Sequence, residues 1–534
     1  MQRTAHSDVT PCMRREALGM LHAVFHLRHF MAWLSVLVVV LHTYFLWALG
    51  ASFGYDSIIY DQLGKALLTS GGLQTFYEGP RYFIFQHLGP GLPLLWILTC
   101  NIAESYGWLL FAMIQHGVAA VSFLYLLNVL RPFLPSHVLV LAAVLVTCNP
   151  VYQSLHNQPM TESISGSMYV LGLAAAIEIL FRQPATTVSF VILAGSGIVA
   201  SQFRSQGVIF FMIFAAVIIL AAKNSAQRLR GFICLVCVCG SVLIWPVYRY
   251  AVTGHAFLPN AEYLLLEHAF RYNPNPSQEV IQHLGTIPLP AGWSGETLAR
   301  RGVSTKDSAM IGMHLRAQGM TDGEAKSMIR QMAWVVRTDS PEIMINQLRL
   351  PLLSIGISRL LFLGDADKVI HRGHRVQDYA RHVITWGRWE GGVLWDDYSP
   401  EFDNFLRIFR QDSELYDSSR IENLDQSLRP YFVNHPASIR DPLHLVSIPS
   451  EVWVFGWLGA LLVLWGQNRW GVLLLICPVV ANYLLNVAVP IGNPRYGYQF
   501  LPMYILGFVI GCYAMESYGR SVIVNVRRLS TRNS

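Results

Sequence analysis

The chain has 534 residues, of which 53% are hydrophobic and 13% charged, with 14 Trp, 23 Tyr and 27 Phe. A soluble protein of that length needs far more charge to cover its surface, so the composition excludes a water-soluble enzyme. The net charge of +6 is explained largely by basic segments flanking apolar runs, which leaves nucleic-acid binding without support.

Several apolar runs reach the ~20 residues that cross a bilayer as helix, and the fold class expected is an all-α polytopic membrane protein of about ten transmembrane helices with a mixed outward-facing loop domain. Residues 1–30 carry Arg3, Arg14, Arg15 and Arg28 and read as a cytoplasmic segment. The apolar run at 31–50 exceeds the ~7–15-residue core of a signal peptide, so it is expected to stay as an uncleaved anchor. Residues 51–106 form the first outer loop. Within it, 56–70 has helical periodicity closed by Gly71-Gly72, and 89–103 is a short apolar piece expected to lie at the outer surface. Spans near 107–130, 138–156, 161–181, 187–203, 206–222 and 231–250 complete a transmembrane core over 31–250.

Residues 251–450 hold 23 of the chain's 33 acids and 20 of its 39 basic residues, so they read as an outer, periplasmic domain. The stretch 341–363 is apolar enough to suggest a further span, but Arg349 and Arg359 interrupt it. Its crossing would also put the basic tail outside, so an interfacial helix is expected there. Three C-terminal spans follow over 451–515, near 451–467, 470–489 and 497–515, and 516–534 is a basic tail. With the N-terminus inside, the short cytoplasmic connections hold Arg131, Arg182, Lys223, Arg228, Arg230 and Arg469; the short segments of the other side hold only Lys65, Arg81, Arg204, Arg249 and Arg495. That asymmetry places both termini in the cytoplasm and the chain as a multi-pass protein of the cytoplasmic (inner) membrane. Cys234, Cys237 and Cys239 sit in "GFICLVCVCGSVLIW" without His or acid, so they read as membrane-buried thiols rather than metal ligands.

The stretch "FGYDSIIYDQLGKALLTSGG" carries two acids just after the first span. Asp56 and Tyr60 are four apart and share a helix face, while Asp61 points elsewhere. Asp61 pairs with Lys65 at i, i+4, worth a few tenths of a kcal/mol on an exposed helix. For Asp56 an N-cap role and a chemical one are both open. Further ionisable groups fall at span mouths on the same side: Arg81, His156, Glu162, Arg204 and Arg495. A charge at a span mouth is a functional-site candidate unless it merely snorkels to the interface.

"YDSIIYDQLGKALLTSGG" resembles the first-loop motif of the GT-C superfamily of polyprenyl-phosphate-sugar glycosyltransferases, in particular protein O-mannosyltransferases and lipid A aminoarabinose transferases. "RYFIFQHLGPGLPLLW", "PMTESISGSMYVLGL" and "NPRYGYQFLP" resemble motifs that follow in those families, in the same order. The similarity covers residues 31–250 and 451–515 in outline. Two departures stand out: Ser57 takes the place of a second acid, and Gln86-His87 stands where relatives often carry Lys.

The resemblance implies transfer of a sugar from a polyprenyl-phosphate donor to a glycan, lipid or protein acceptor on the outer side of the membrane. Asp56 would act as general base in a single inverting displacement. Arg81, Arg204 and Arg495 would meet the leaving phosphate, with Glu162 orienting an arginine or a sugar hydroxyl. Tyr60, His156 and Tyr496 complete the substrate-binding set. No cofactor is implied, with a divalent metal left open, and the partners expected are the lipid-linked donor, the acceptor and membrane lipid. Rival readings are a surface-polysaccharide polymerase or ligase, a transporter, and a non-catalytic scaffold. The aromatics of "WGRWEGGVLWDDYSPEFDNF" at 386–405 are open to sugar stacking or to a plain core role.

Overall fold

A computed structural model describes residues 29–47, 90–103, 107–157, 160–182, 185–204, 207–253, 261–303, 305–345, 361–362, 446–447, 469–482, 484 and 499–532. Asp56, Tyr60, Arg81, Arg495 and Tyr496, most of the stretch 341–363, the aromatic segment 386–405 and the span expected at 451–467 lie outside the described residues. The described chain is almost entirely helical. Four of its helices are long and apolar enough to cross a membrane.

The first of these is α1, His29–Trp47. Next come α2 (Gly91–Ala103) and α3 (Gly107–Leu130), packed together. The apolar piece expected as a helix is one, and it packs into the bundle with Leu92 and Trp96 buried in the core. The single span expected at 138–156 is instead broken into α4 (Ser136–Thr147) and α5 (Pro150–His156). Pro150 explains the break: it has no N–H to continue the ladder, and its ring clashes with the carbonyl four residues back. The side chain of Asn149 then accepts the Tyr152 N–H at 3.0 Å and starts the next turn.

Helix α6 (Thr161–Phe181) is the centre of the bundle, buried along almost its whole length. It packs against α3, against α7 (Thr187–Phe203) and against α8 (Val208–Ala221). Its Gly and Ala positions let neighbours approach closely, the usual basis of helix packing in lipid. A Cβ on Gly172 would meet the Phe211 ring at 2.4 Å. Helix α9 (Ser225–Thr253) covers α7 and α8 and contains Pro246.

Beyond α9, amphipathic helices build a second, separate core. These are α10 (Ala261–Tyr272), α11 (Gln278–Gly285), α12 (Gly295–Arg301), α13 (Thr305–Ala317) and α14 (Asp322–Arg337). Leu266, Leu284, Ile311, Leu315, Ile329 and Val336 fill the core between them. The starts of three helices follow local rules: Ser277 and Ser294 cap α11 and α12, and Thr321 with Glu324 forms a capping box on α14. Asp339 ties the unit's ends together, accepting the Asn273 amide and the Ser277 backbone N–H, both at 2.8 Å. The only described strands are the two-residue antiparallel pair β1 (Leu361–Phe362) and β2 (Val446–Ser447).

Two helices close the described chain, α15 (Arg469–Asn482) and α16 (Leu501–Arg532). The last expected span ended at residue 515, but α16 runs on through the basic tail as one helix of 32 residues. That is about 48 Å at 1.5 Å per residue, well beyond a ~30 Å hydrocarbon core.

Candidate functional site

Two of the residues singled out at span mouths form an ion pair inside the bundle. Glu162 lies in the first turn of α6, where the helix N-terminus favours a carboxylate. Arg204 lies just past the end of α7, where the backbone turns extended (φ −154°) and its N–H still bonds the Ala200 carbonyl at 2.8 Å. Arg204 Nη1 donates to Glu162 Oε1 at 2.8 Å, with side-chain exposures of 10% and 2%. The second carboxylate oxygen, Oε2, accepts the Thr161 hydroxyl at 3.1 Å.

A third segment reaches the same place from the C-terminal part of the chain. Ser165 Oγ lies 3.4 Å from Gln499 Oε1, and a Cβ on Gly166 would meet the Gln499 carbonyl oxygen at 2.9 Å. One turn further along α6, the Tyr169 ring stacks on Phe500 at 5.2 Å with the planes 2° apart. Gly207 opens α8 directly against that tyrosine: a Cβ there would stand 1.7 Å from Tyr169 Oη. Only glycine permits so close an approach. The start of α6, the α7–α8 turn and residues 499–500 thus converge around one buried guanidinium–carboxylate pair.

A second polar cluster adjoins it through Ser163. His156, at the end of α5, places Nδ1 at 2.8 Å from Ser163 Oγ, and Ser163 is the residue after Glu162. Around His156 stand His42 from α1 and His116 from α3. The three ring centroids are 5.3, 5.4 and 5.8 Å apart. His42 Nδ1 and His116 Nδ1 are 3.0 Å apart, and His116 Nε2 is 3.0 Å from Asn157 Oδ1. Asn157 Nδ2 donates to the Gln153 carbonyl, which leaves its Oδ1 as acceptor and assigns the N–H of His116 to Nε2. Gln115 Nε2 donates to the His156 carbonyl at 3.0 Å, and Tyr152 meets the His156 ring edge to face at 4.5 Å. The Nε2 atoms of His42 and His156 and the Tyr152 hydroxyl are buried without a hydrogen-bond partner.

The opposite end of α6 carries another carboxylate. Glu178 accepts hydrogen bonds from the Tyr125 hydroxyl, from Ser189 Oγ at 2.9 Å and from Arg182 Nη1 at 2.9 Å. These partners satisfy it from α3, α7 and its own helix, and its role is to pin the three together.

No family model, curated protein or solved structure matches this chain. The site therefore stands on its own geometry. Of the eight candidate residues, Glu162, Arg204 and His156 are described and lie in one connected region; the other five lie outside the described residues. Among the described residues no group of three or more His, Cys, Asp or Glu is placed to hold a metal ion. The residues that sequence reasoning passed over are His42, His116, Asn157, Ser163 and Gln499. A signal for the first two was present: each is an ionisable side chain inside an apolar run, the pattern that marks function in a membrane span.

Proposed function

We propose that the protein is a membrane glycosyltransferase that moves a sugar from a polyprenyl-phosphate donor to an acceptor on the outer side of the cytoplasmic membrane. The observation that carries this reading is the buried Glu162–Arg204 pair, which joins the acid of one family-like motif to a second charge singled out at a span mouth. A guanidinium held by a carboxylate is aimed before substrate arrives. The leaving phosphate gathers negative charge as the glycosidic bond breaks, and a fixed planar fork meets two of its oxygens with parallel hydrogen bonds. Arg81 and Arg495 would share that charge. Asp56 would remove the proton of the attacking acceptor and give inversion. Tyr60, His156 and Tyr496 would line the sugar, and Gln499, four residues after Arg495, adds a polar group beside the pair.

This function accords with a chain of about ten spans, with residues 251–450 outside and both termini inside, the arrangement that the basic residues favour. It is tested with the full chain in nanodiscs and a panel of synthetic polyprenyl-phosphate sugars. The expected result is acceptor-dependent release of polyprenyl phosphate, lost in Asp56→Asn. Release that persists in Asp56→Asn at the wild-type rate would defeat the assignment.

One observation favours a different class. His42 and His116 lie within apolar helices rather than at their ends, as the ionisable groups of a transporter do. On that reading, proteoliposomes would take up a solute with proton movement and without breaking a glycosidic bond.

A further inference from the structure

Helix α1 meets the bundle along a narrow stripe. Its buried side chains are Leu34, Val38, His42 and Phe45, spaced four, four and three apart, while Trp33, Val36, Val39 and Val40 on its other faces are exposed. Three members of the stripe are apolar and hold α1 without direction. The fourth, His42, holds it through the Nδ1–Nδ1 bond to His116 on α3.

That bond has a strict protonation requirement. One ring must present an N–H and the other a lone pair. Because His116 Nε2–H is committed to Asn157, its Nδ1 supplies the lone pair and His42 Nδ1 the proton. A proton added to His116 would set N–H against N–H. The third ring, His156, lies 5.8 Å from His42 and 5.4 Å from His116, centroid to centroid, so a charge on any ring falls beside the other two. The titratable groups facing the cluster are these three rings, from α1, α3 and α5, together with Tyr152 of α5. Asn157, Ser163 and Gln115 lie around the rings, and the Glu162–Arg204 ion pair begins one residue before Ser163.

We propose that His42, His116 and His156 form a proton-operated latch that fastens α1 to the bundle, closed while the rings are neutral and released when they take up protons. This device does not depend on the glycosyl-transfer reading. Its direction follows from mass action. An imidazole in water takes its proton near pH 6.5. The released state then binds more protons than the latched one, so acid favours release and neutral pH favours closure. Each ring that takes up a proton on release lowers the latched-to-released ratio about tenfold per pH unit below ~6.5.

The experiment is hydrogen–deuterium exchange on the full chain in nanodiscs at pH 7.5 and 5.5, with labelling times scaled for the intrinsic pH dependence of amide exchange. Peptides covering 29–47 report on the latch, and peptides from 161–203 serve as the internal reference. At pH 5.5, protection of 29–47 relative to that reference should fall at least about tenfold. The double variant His42→Phe/His116→Phe keeps ring packing and removes the two rings whose bond holds α1, so its 29–47 protection should lose most of the pH dependence of the wild-type chain. Equal protection of 29–47 in the wild-type chain at the two pH values would overturn the proposal, and this comparison needs no variant to fold. A wild-type-like fall in the double variant would overturn it as well.

Discussion

Replacing Arg204 by alanine isolates what the buried ion pair contributes. The substitution leaves the Glu162 carboxylate, whose side chain is 2% exposed, without its guanidinium. Removing one partner of a buried pair costs about 3–5 kcal/mol, because the remaining charge stays desolvated. The Thr161 hydroxyl on Oε2 offsets little of that, being a single neutral donor. Removing the charge as well, in Glu162→Gln/Arg204→Ala, abolishes the stranded carboxylate. The double variant should therefore be more stable than Arg204→Ala alone, with a coupling of about 0.5–3 kcal/mol between the two sites. Equilibrium unfolding of the purified chain in mixed micelles measures all four corners of the cycle. Lysine at 204 keeps the charge but loses the planar fork, and it should fall between wild type and Arg204→Ala. If the two single effects simply add, the carboxylate and guanidinium are not coupled and the site as described is wrong.

The packing beside the pair makes a steric prediction. Gly207→Ala would put a methyl group 1.7 Å from Tyr169 Oη and 2.5 Å from its Cζ, so it should destabilise the chain by about 1–3 kcal/mol in the same unfolding assay. Tyr169→Phe should restore only part of that loss, since the ring carbon is still too close. In the second helical unit, burial raises the Asp339 carboxyl, but hydrogen bonds from Ser277 and Asn273 outweigh it and hold the group below its ordinary value. Its stabilising effect is then fully present above an ordinary Asp value of about 3.9 and lost as pH falls through its lowered value. Exchange of the Ser277 amide, which donates to Asp339 Oδ2, should be faster in Asp339→Asn at pH 6, and the difference should close in strong acid. For the proposed reaction, Asp56→Asn should keep wild-type stability, since Asn caps a helix as well as Asp, while lowering the transfer rate ~10²–10⁴-fold. Asp61→Asn would remove only the i, i+4 pair that the sequence spacing predicts with Lys65, and it should transfer sugar at the wild-type rate.

Hydrophobic length was the most legible property of this chain. The helices at 161–181 and 187–203 lie where apolar runs of those lengths predict them. The run at 138–156 misleads because apolar content alone hides the effect of Pro150, which divides it into α4 and α5. The end of α16 misleads in the opposite way. Basic residues end a membrane span, yet Arg and Lys are good helix formers, so the helix continues beyond residue 515. At the site, Glu162 and Arg204 were each visible as charges at span mouths. Their pairing was not, because a whole helix hairpin lies between them and only packing brings α6 and α7 together. His42 and His116 each carried a local signal, an ionisable side chain inside an apolar run, that was passed over. Their partnership depends on how α1 lies against α3, which no local pattern encodes.

The claim of glycosyl transfer is tested most directly in cells lacking this chain. Their envelope glycans and lipids, compared by mass spectrometry with those of the parent, should lack one sugar-bearing species. Wild-type protein supplied in trans should restore that species, and equally expressed Asp56→Asn should not. An unchanged glycan and lipid profile on deletion, or full restoration by Asp56→Asn, would contradict the account.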